Sequence, residues 1–167
     1  MKRLLGLASL VVLMGAAMAG STSAGTGRTV RTTGSEQFVP NAKIMATLRF
    51  TPGPLSVKQG ETVTWENATP GVPHTISIVA AGDVPSTIDD VFNCAICNTI
   101  LGAHFPDPNG PPVPVVNAGG PGLDAAGDSL VLFPDASISA TISAPAGSTL
   151  HYICAIHPWM QGTVNVH

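Results

Sequence analysis

The segment Thr62-Val63-Thr64-Trp65-Glu66 carries an apolar side chain at every second position, with Val63 and Trp65 on one side and the threonines and Glu66 on the other. That is the period of a half-buried strand. Segments of similar length recur at 44–50, 54–58, 74–79, 129–133, 137–142, 149–153 and 162–166. Between them fall most of the 18 glycines and 15 prolines of the 167 residues, so the chain turns often and runs straight only briefly. Seven or eight short strands at such spacing predict an all-β fold, an antiparallel Greek-key β-sandwich. A charged share of 10% excludes a coiled coil or a charged disordered chain, both of which need far more.

Before the strands, Lys2 and Arg3 precede an apolar run at 4–14 and then Ala17-Met18-Ala19. This order is that of an export signal, read here as residues 1–19. The run from 4 to 20 is also close to spanning length, so retention as an uncleaved membrane anchor stays open. Residues 20–41, rich in Ser, Thr and Gly, offer little apolar spacing and are expected to be a flexible leader. The domain proper is expected over 42–167.

An insertion at 80–128 separates the two groups of strands. Its first half predicts a short helix, with a Ser86/Asp89 capping pattern. Ile88, Val91, Phe92, Ala95, Ile96 and Ile100 form one apolar face, and Gly102 follows as a C-cap. Its second half, 102–127, predicts a long Gly/Pro-rich loop.

Charge is segregated. All seven Lys and Arg residues lie at or before Lys58, while nine of the ten acids and all five histidines follow it. With a net charge of −3, the chain does not have the electrostatics of a nucleic-acid binder.

The chemistry concentrates near the C-terminus, in Cys154-Ala155-Ile156-His157-Pro158-Trp159-Met160. A loop of this spacing can bring a thiolate, an imidazole and a thioether to one ion, and His74, after the Pro-rich loop 67–73, is the natural second imidazole. Two imidazoles and a thiolate with a weak axial thioether are the ligand set of a blue-copper electron-transfer site. His151 stays outside the set, because strand alternation turns it away from Tyr152 and Cys154. His104 and His167 belong to no motif, and Asn67-Ala68-Thr69 matches a glycosylation sequon.

These residues, with Phe50-Thr51-Pro52, 57–60, Glu61 to Trp65 and Pro73-His74-Thr75, resemble the cupredoxins of the plastocyanin and amicyanin type. The short Cys154 loop is more similar to amicyanin. The resemblance implies one type 1 copper ion on His74, Cys154, His157 and Met160, a cupredoxin-like sandwich with an inserted helix and loop, and single-electron transfer. It implies Thr75 and Pro73 as supports of the site, with Thr75 standing where many relatives carry Asn and its hydroxyl expected to brace the Cys154 sulfur. His157, Pro158, Trp159 and Val72 become the electron port and partner patch. If Cys154 takes the metal, two cysteines remain, and an oxidising compartment favours a Cys94–Cys97 disulfide. Free thiols there, or a metal site adding His104, remain alternatives.

The expected protein is thus a monomer exported to the periplasm, the medium or the cell surface. It would serve a redox protein such as a cytochrome, dehydrogenase or oxidase, and bind no nucleic acid. A copper carrier or sequestering protein is the alternative. A copper oxidase or nitrite reductase is not expected, since neither a His-x-His pair nor a second such domain is present.

Overall fold

The computed structural model describes residues 28–167. The export signal and the first part of the leader lie outside them. Among the described residues no helix is long and apolar enough to cross a membrane.

Twelve strands are present: β1 (Arg28–Thr33), β2 (Glu36–Val39), β3 (Lys43–Ala46), β4 (Arg49–Thr51), β5 (Pro54–Val57), β6 (Thr62–Glu66), β7 (His74–Val79), β8 (Val115–Val116), β9 (Ser129–Leu132), β10 (Ser137–Thr141), β11 (Thr149–Ile153) and β12 (Gln161–Val166). Helices α1 (Ile88–Phe92) and α2 (Ala95–His104) lie between β7 and β8. One sheet has the order β10-β6-β1-β4, the other β5-β12-β11-β7-β9-β8, and β2 with β3 forms a separate hairpin. Crossovers between non-consecutive neighbours make this the all-β, Greek-key sandwich expected from the strand pattern. Most pairs are antiparallel, but β1 runs parallel to β6 and β5 parallel to β12.

The strand count exceeds expectation because the leader supplies β1 and β2, the strand expected at 44–50 splits into β3 and β4, and the long loop contains β8. From residue 28 onward the leader is not loose: Val30 and Thr32 alternate into the interior with 0% and 1% exposure, and β1 is an inner strand between β6 and β4. Its apolar content is small, so pairing on both edges, rather than side-chain burial alone, orders it.

The core between the sheets is built from the inward residues of each strand. Val30, Phe50, Val63 and Trp65 come from one sheet, and Leu55, Val57, Ile76, Ile78, Leu130, Tyr152 and Val164 from the other. β7 is buried along its whole length, on both faces. Its even residues face this core, while Val79 joins Cys97, Ile100, Ile153 and Ala155 in a second cluster under α2. The insertion therefore covers the outer face of the six-stranded sheet as a third layer.

The insertion departs from its sequence reading. The single helix breaks at Asn93 into two, and the capping box belongs to Thr87 and Asp90 rather than Ser86 and Asp89. Ile88 and Phe92 are exposed at 66% and 78%, so the expected apolar stripe is not the buried face. Of that stripe only Ile100 is buried, and Ile96 packs partly buried against the same cluster; Cys97 and His104 join Ile100 on the buried face, and α2 runs past Gly102 to His104. The Gly/Pro-rich loop is ordered by Asp128, whose carboxylate accepts N–H groups from Ala118, Gly119, Asp124 and Ala125 at 2.8–3.3 Å. Burial alone would raise this carboxyl, but the four donors more than offset it and hold it below its ordinary value.

Candidate metal centre

The loop 67–73 is pinned before it delivers His74. Asn67 Nδ2 donates to the carbonyls of Val72 and Phe133 at 2.7 and 3.1 Å, while its Oδ1 accepts from the Thr32 hydroxyl and the Thr69 N–H. Asn67 is buried, so the sequon is a structural clamp and not a glycan acceptor. Strand β7 then places His74 inside the sandwich, at 0% exposure.

On the other side, β11 ends at Ile153 and the chain folds back into β12 within seven residues. Two backbone bonds close this loop: the Cys154 N–H donates to the Met160 carbonyl at 2.9 Å, and the Met160 N–H to the His157 carbonyl at 2.8 Å. Cys154, His157 and Met160 therefore sit on one short closed loop. Cys154 and Met160 are fully buried in the main core and His157 is 7% exposed.

The three nearest donors converge. The Cys154 Sγ lies 3.7 Å from His74 Nδ1 and 3.6 Å from His157 Nδ1, and the two imidazole rings are 5.0 Å apart by centroid. A first-row ion held about 2.3 Å from a thiolate and about 2.0 Å from imidazole nitrogens, as zinc is, spaces those atoms about 3.6–3.8 Å apart. The donors are thus already at metal-ligand spacing. Their electrostatics agree. Burial, then the neighbouring His157, lowers His74 from 6.5 to about 4. Burial also lowers His157, with Glu36 opposing. Both rings are therefore neutral at pH 7, with a lone pair to give.

Burial pushes the Cys154 thiol up, against backbone N–H donors from Thr75, His157 and Ile156. A thiolate here needs a cation beside it. The buried His74–Cys154–His157 group, with Met160 in the same core cluster, fits a single type 1 copper site.

The supports are not quite those expected. The Thr75 backbone N–H, at 3.3 Å, rather than its hydroxyl, donates to the Cys154 Sγ. The hydroxyl oxygen instead accepts the Ala155 N–H at 2.8 Å and meets Ser77 Oγ at 2.8 Å. Pro73 is exposed at the strand entry, and Val72 is half-buried against the core.

Around His157 the structure adds a residue that the sequence reading left out. The Glu36 carboxylate, on the β2–β3 hairpin, lies 3.7 Å from the His157 Nε2. Since the leader reads as flexible by composition, nothing in the sequence signals this contact. Trp159 packs edge-on against His157 with centroids 5.3 Å apart and is 38% exposed, whereas Pro158 is buried. His151 is half-buried on the outer side of β11, in register with Val79, and takes no part in the group. Cys94 and Cys97 form the expected disulfide, which packs with Ala155 and Ile153 beneath α2. His104 is drawn away from it into hydrogen bonds of its own, so no second metal cluster forms there among the described residues.

No family model matches the chain, and no curated protein does. Among solved structures, it is similar to a Cu(I) amicyanin mutant at 20% identity, over 84% of this chain and 82% of that one, with a TM-score of 0.44. A second reduced amicyanin mutant matches at 20% identity over 87% of each chain, with a TM-score of 0.45. A purple cupredoxin from Nitrosopumilus maritimus matches at 18% identity, over 84% of this chain and 99% of that one, with a TM-score of 0.44.

Proposed function

We propose that the protein is an exported single-copper electron carrier, with His74, Cys154, His157 and Met160 as ligands, cycling one electron at a time between protein redox partners. The observation that carries this reading is the convergence of two imidazole Nδ1 atoms on one buried sulfur at 3.6 and 3.7 Å. Copper, when bound, supplies a Cu(II)/Cu(I) couple at potentials set by this donor set.

The chain's own contribution is rigidity and exclusion of water. The closed 154–160 loop, the Thr75 N–H on the sulfur and the Asn67 clamp behind His74 hold the donors where either oxidation state can use them, so little rearrangement accompanies electron transfer. His157 is the outermost of the three nearest donors, and the surface we assign to the partner is its exposed edge with Trp159 and Val72, while Pro158, expected in that patch, is buried beneath it. A small, partly apolar contact suits brief docking. The enclosed donor set favours this role over an open, exchangeable copper carrier. Export rests on the residues before the described region.

Loading the metal-free protein with Cu(II) tests the reading. An intense visible band, one copper per chain and a reversible one-electron titration are expected, and Cys154→Ser is expected to abolish the band. A Cys154→Ser variant that kept it would overturn the ligand assignment. Rapid loss of copper to a weak chelator would point to the carrier of metal instead.

A further inference from the structure

Under α2 lies a row of polar side chains where a sandwich covered on one face would meet water. His104 ends α2 with 0% exposure. Its Nδ1 is 2.6 Å from the Val113 carbonyl and its Nε2 is 2.7 Å from Ser129 Oγ. Ser129 Oγ is 2.7 Å from Ser77 Oγ, Ser77 Oγ is 2.8 Å from Thr75 Oγ1, and Thr75 Oγ1 accepts the Ala155 N–H at 2.8 Å. Ser77 and Ser129 are direct cross-strand partners, and Thr75 follows two residues away on the same face of β7. The row thus runs unbroken from the inserted helix to the residue after Cys154.

With the His104 ring neutral, one polarity satisfies every link. A carbonyl only accepts, so His104 Nδ1 carries the proton and donates to Val113. In the neutral ring Nε2 is then an acceptor, and the Ser129 hydroxyl donates to it. Ser77 must donate to Ser129, and Thr75 to Ser77, leaving the Thr75 oxygen free to receive the Ala155 N–H. Each link polarises the next, so hydrogen bonds aligned in this way strengthen one another in a buried setting. The Thr75 hydroxyl proton then goes to Ser77 in preference to the sulfur, while the Thr75 backbone N–H donates to the sulfur at 3.3 Å.

We propose that His104 is a positioning residue for the metal loop, orienting a buried Ser129–Ser77–Thr75 hydroxyl row that fixes the Ala155 N–H and keeps the Thr75 hydroxyl from donating to Cys154. The proposal rests on the copper reading of the His74–Cys154–His157 group. Hydrogen bonding around the cysteine sulfur tunes the reduction potential of such sites. With the terminal acceptor gone, the row loses its direction and the Thr75 hydroxyl is free to turn to the sulfur. That draws charge from the thiolate and raises the potential.

Two measurements on the full chain test it. In the copper-loaded protein, Ser77→Ala interrupts the row without touching helix, disulfide or ligands. It should move the potential and the visible band in the same direction as His104→Leu. His104→Gln, whose amide oxygen can still accept from Ser129, should leave both near the parent values. The double variant His104→Leu/Ser77→Ala should shift no further than either single one, because both break one chain. In the metal-free protein, the Ala155 N–H should exchange about tenfold faster in Ser77→Ala, the cost of roughly one hydrogen bond. A folded Ser77→Ala protein with parental potential and parental Ala155 exchange overturns the proposal, as does additivity in the double variant. Should the parent bind no copper, the function reading fails, and the Ala155 exchange arm alone decides whether the row positions the loop.

Discussion

Gly162 shows how one missing atom serves the site. It sits opposite Tyr152 in the β11–β12 register, and a Cβ there would run into the Tyr152 ring and its hydroxyl. Gly162→Ala should therefore force the ring or the strand aside and cost about 1–3 kcal/mol, read as a lower denaturant midpoint. The histidines carry a second expectation. A histidine in the unfolded chain titrates near 6.5, whereas His74 in the folded protein does so at about 4, and His157 is shifted the same way. Between those values the unfolded chain takes up a proton that the folded one refuses, so the metal-free protein should lose stability as pH falls from about 6.5 to about 4. Denaturant midpoints at pH 7 and pH 5 would check it, and equal values would contradict the burial of the rings. At this scale the sequence was informative where residue chemistry is unusual. Cys154, His157 and Met160 announce themselves by spacing within one loop, and His74 by its place after two prolines and a glycine. Glu36 and His104 carry no such spacing, because their partners, His157 and Ser129, lie far along the chain.

Among the elements, the strand that pattern reading misses has the larger consequence. β1 offers only Val30 and Thr32 to the interior, too little to mark a strand by periodicity, yet it fills the place between β6 and β4. Val30→Ala removes two methyl groups from a site with no exposure and should cost about 2 kcal/mol. A flexible leader would instead give no change, so thermal or chemical denaturation of this one variant separates the two pictures. The strands that were legible, β6, β7 and β11, alternate cleanly or sit beside turn residues. The helices were legible in kind but not in orientation. Ile88 and Phe92 satisfy the helical period, but the break at Asn93 rotates α2 so that Cys97, Ile100 and His104 face the sheet. Periodicity locates a stripe and says nothing of what lies opposite it.

For the molecule as a whole, metal and fold should be coupled. A donor group drawn from β7 and from the β11–β12 loop comes together only when the sheet is assembled, so on the proposed reading copper favours the native state over the unfolded one. Saturating copper should raise the unfolding free energy, by about 4 kcal/mol at a thousandfold excess over the dissociation constant, and a strong chelator should reverse it. Calorimetry with and without metal would show this as a higher transition temperature, and coincident transitions would count against a site built by folding. The insertion bears on the molecule in another way. Its two ends meet: the Ile78 N–H donates to the Asp128 carbonyl and the Gly127 N–H to the Ile78 carbonyl, both at 2.8 Å, just where β7 and β9 are paired. Topologically, the whole excursion is an overgrown hairpin turn. At that neck a short connection would rejoin the same two strands in the same register, and any replacement cap would have to restore the cover over Val79 and Ile153 and refill the place of Leu123.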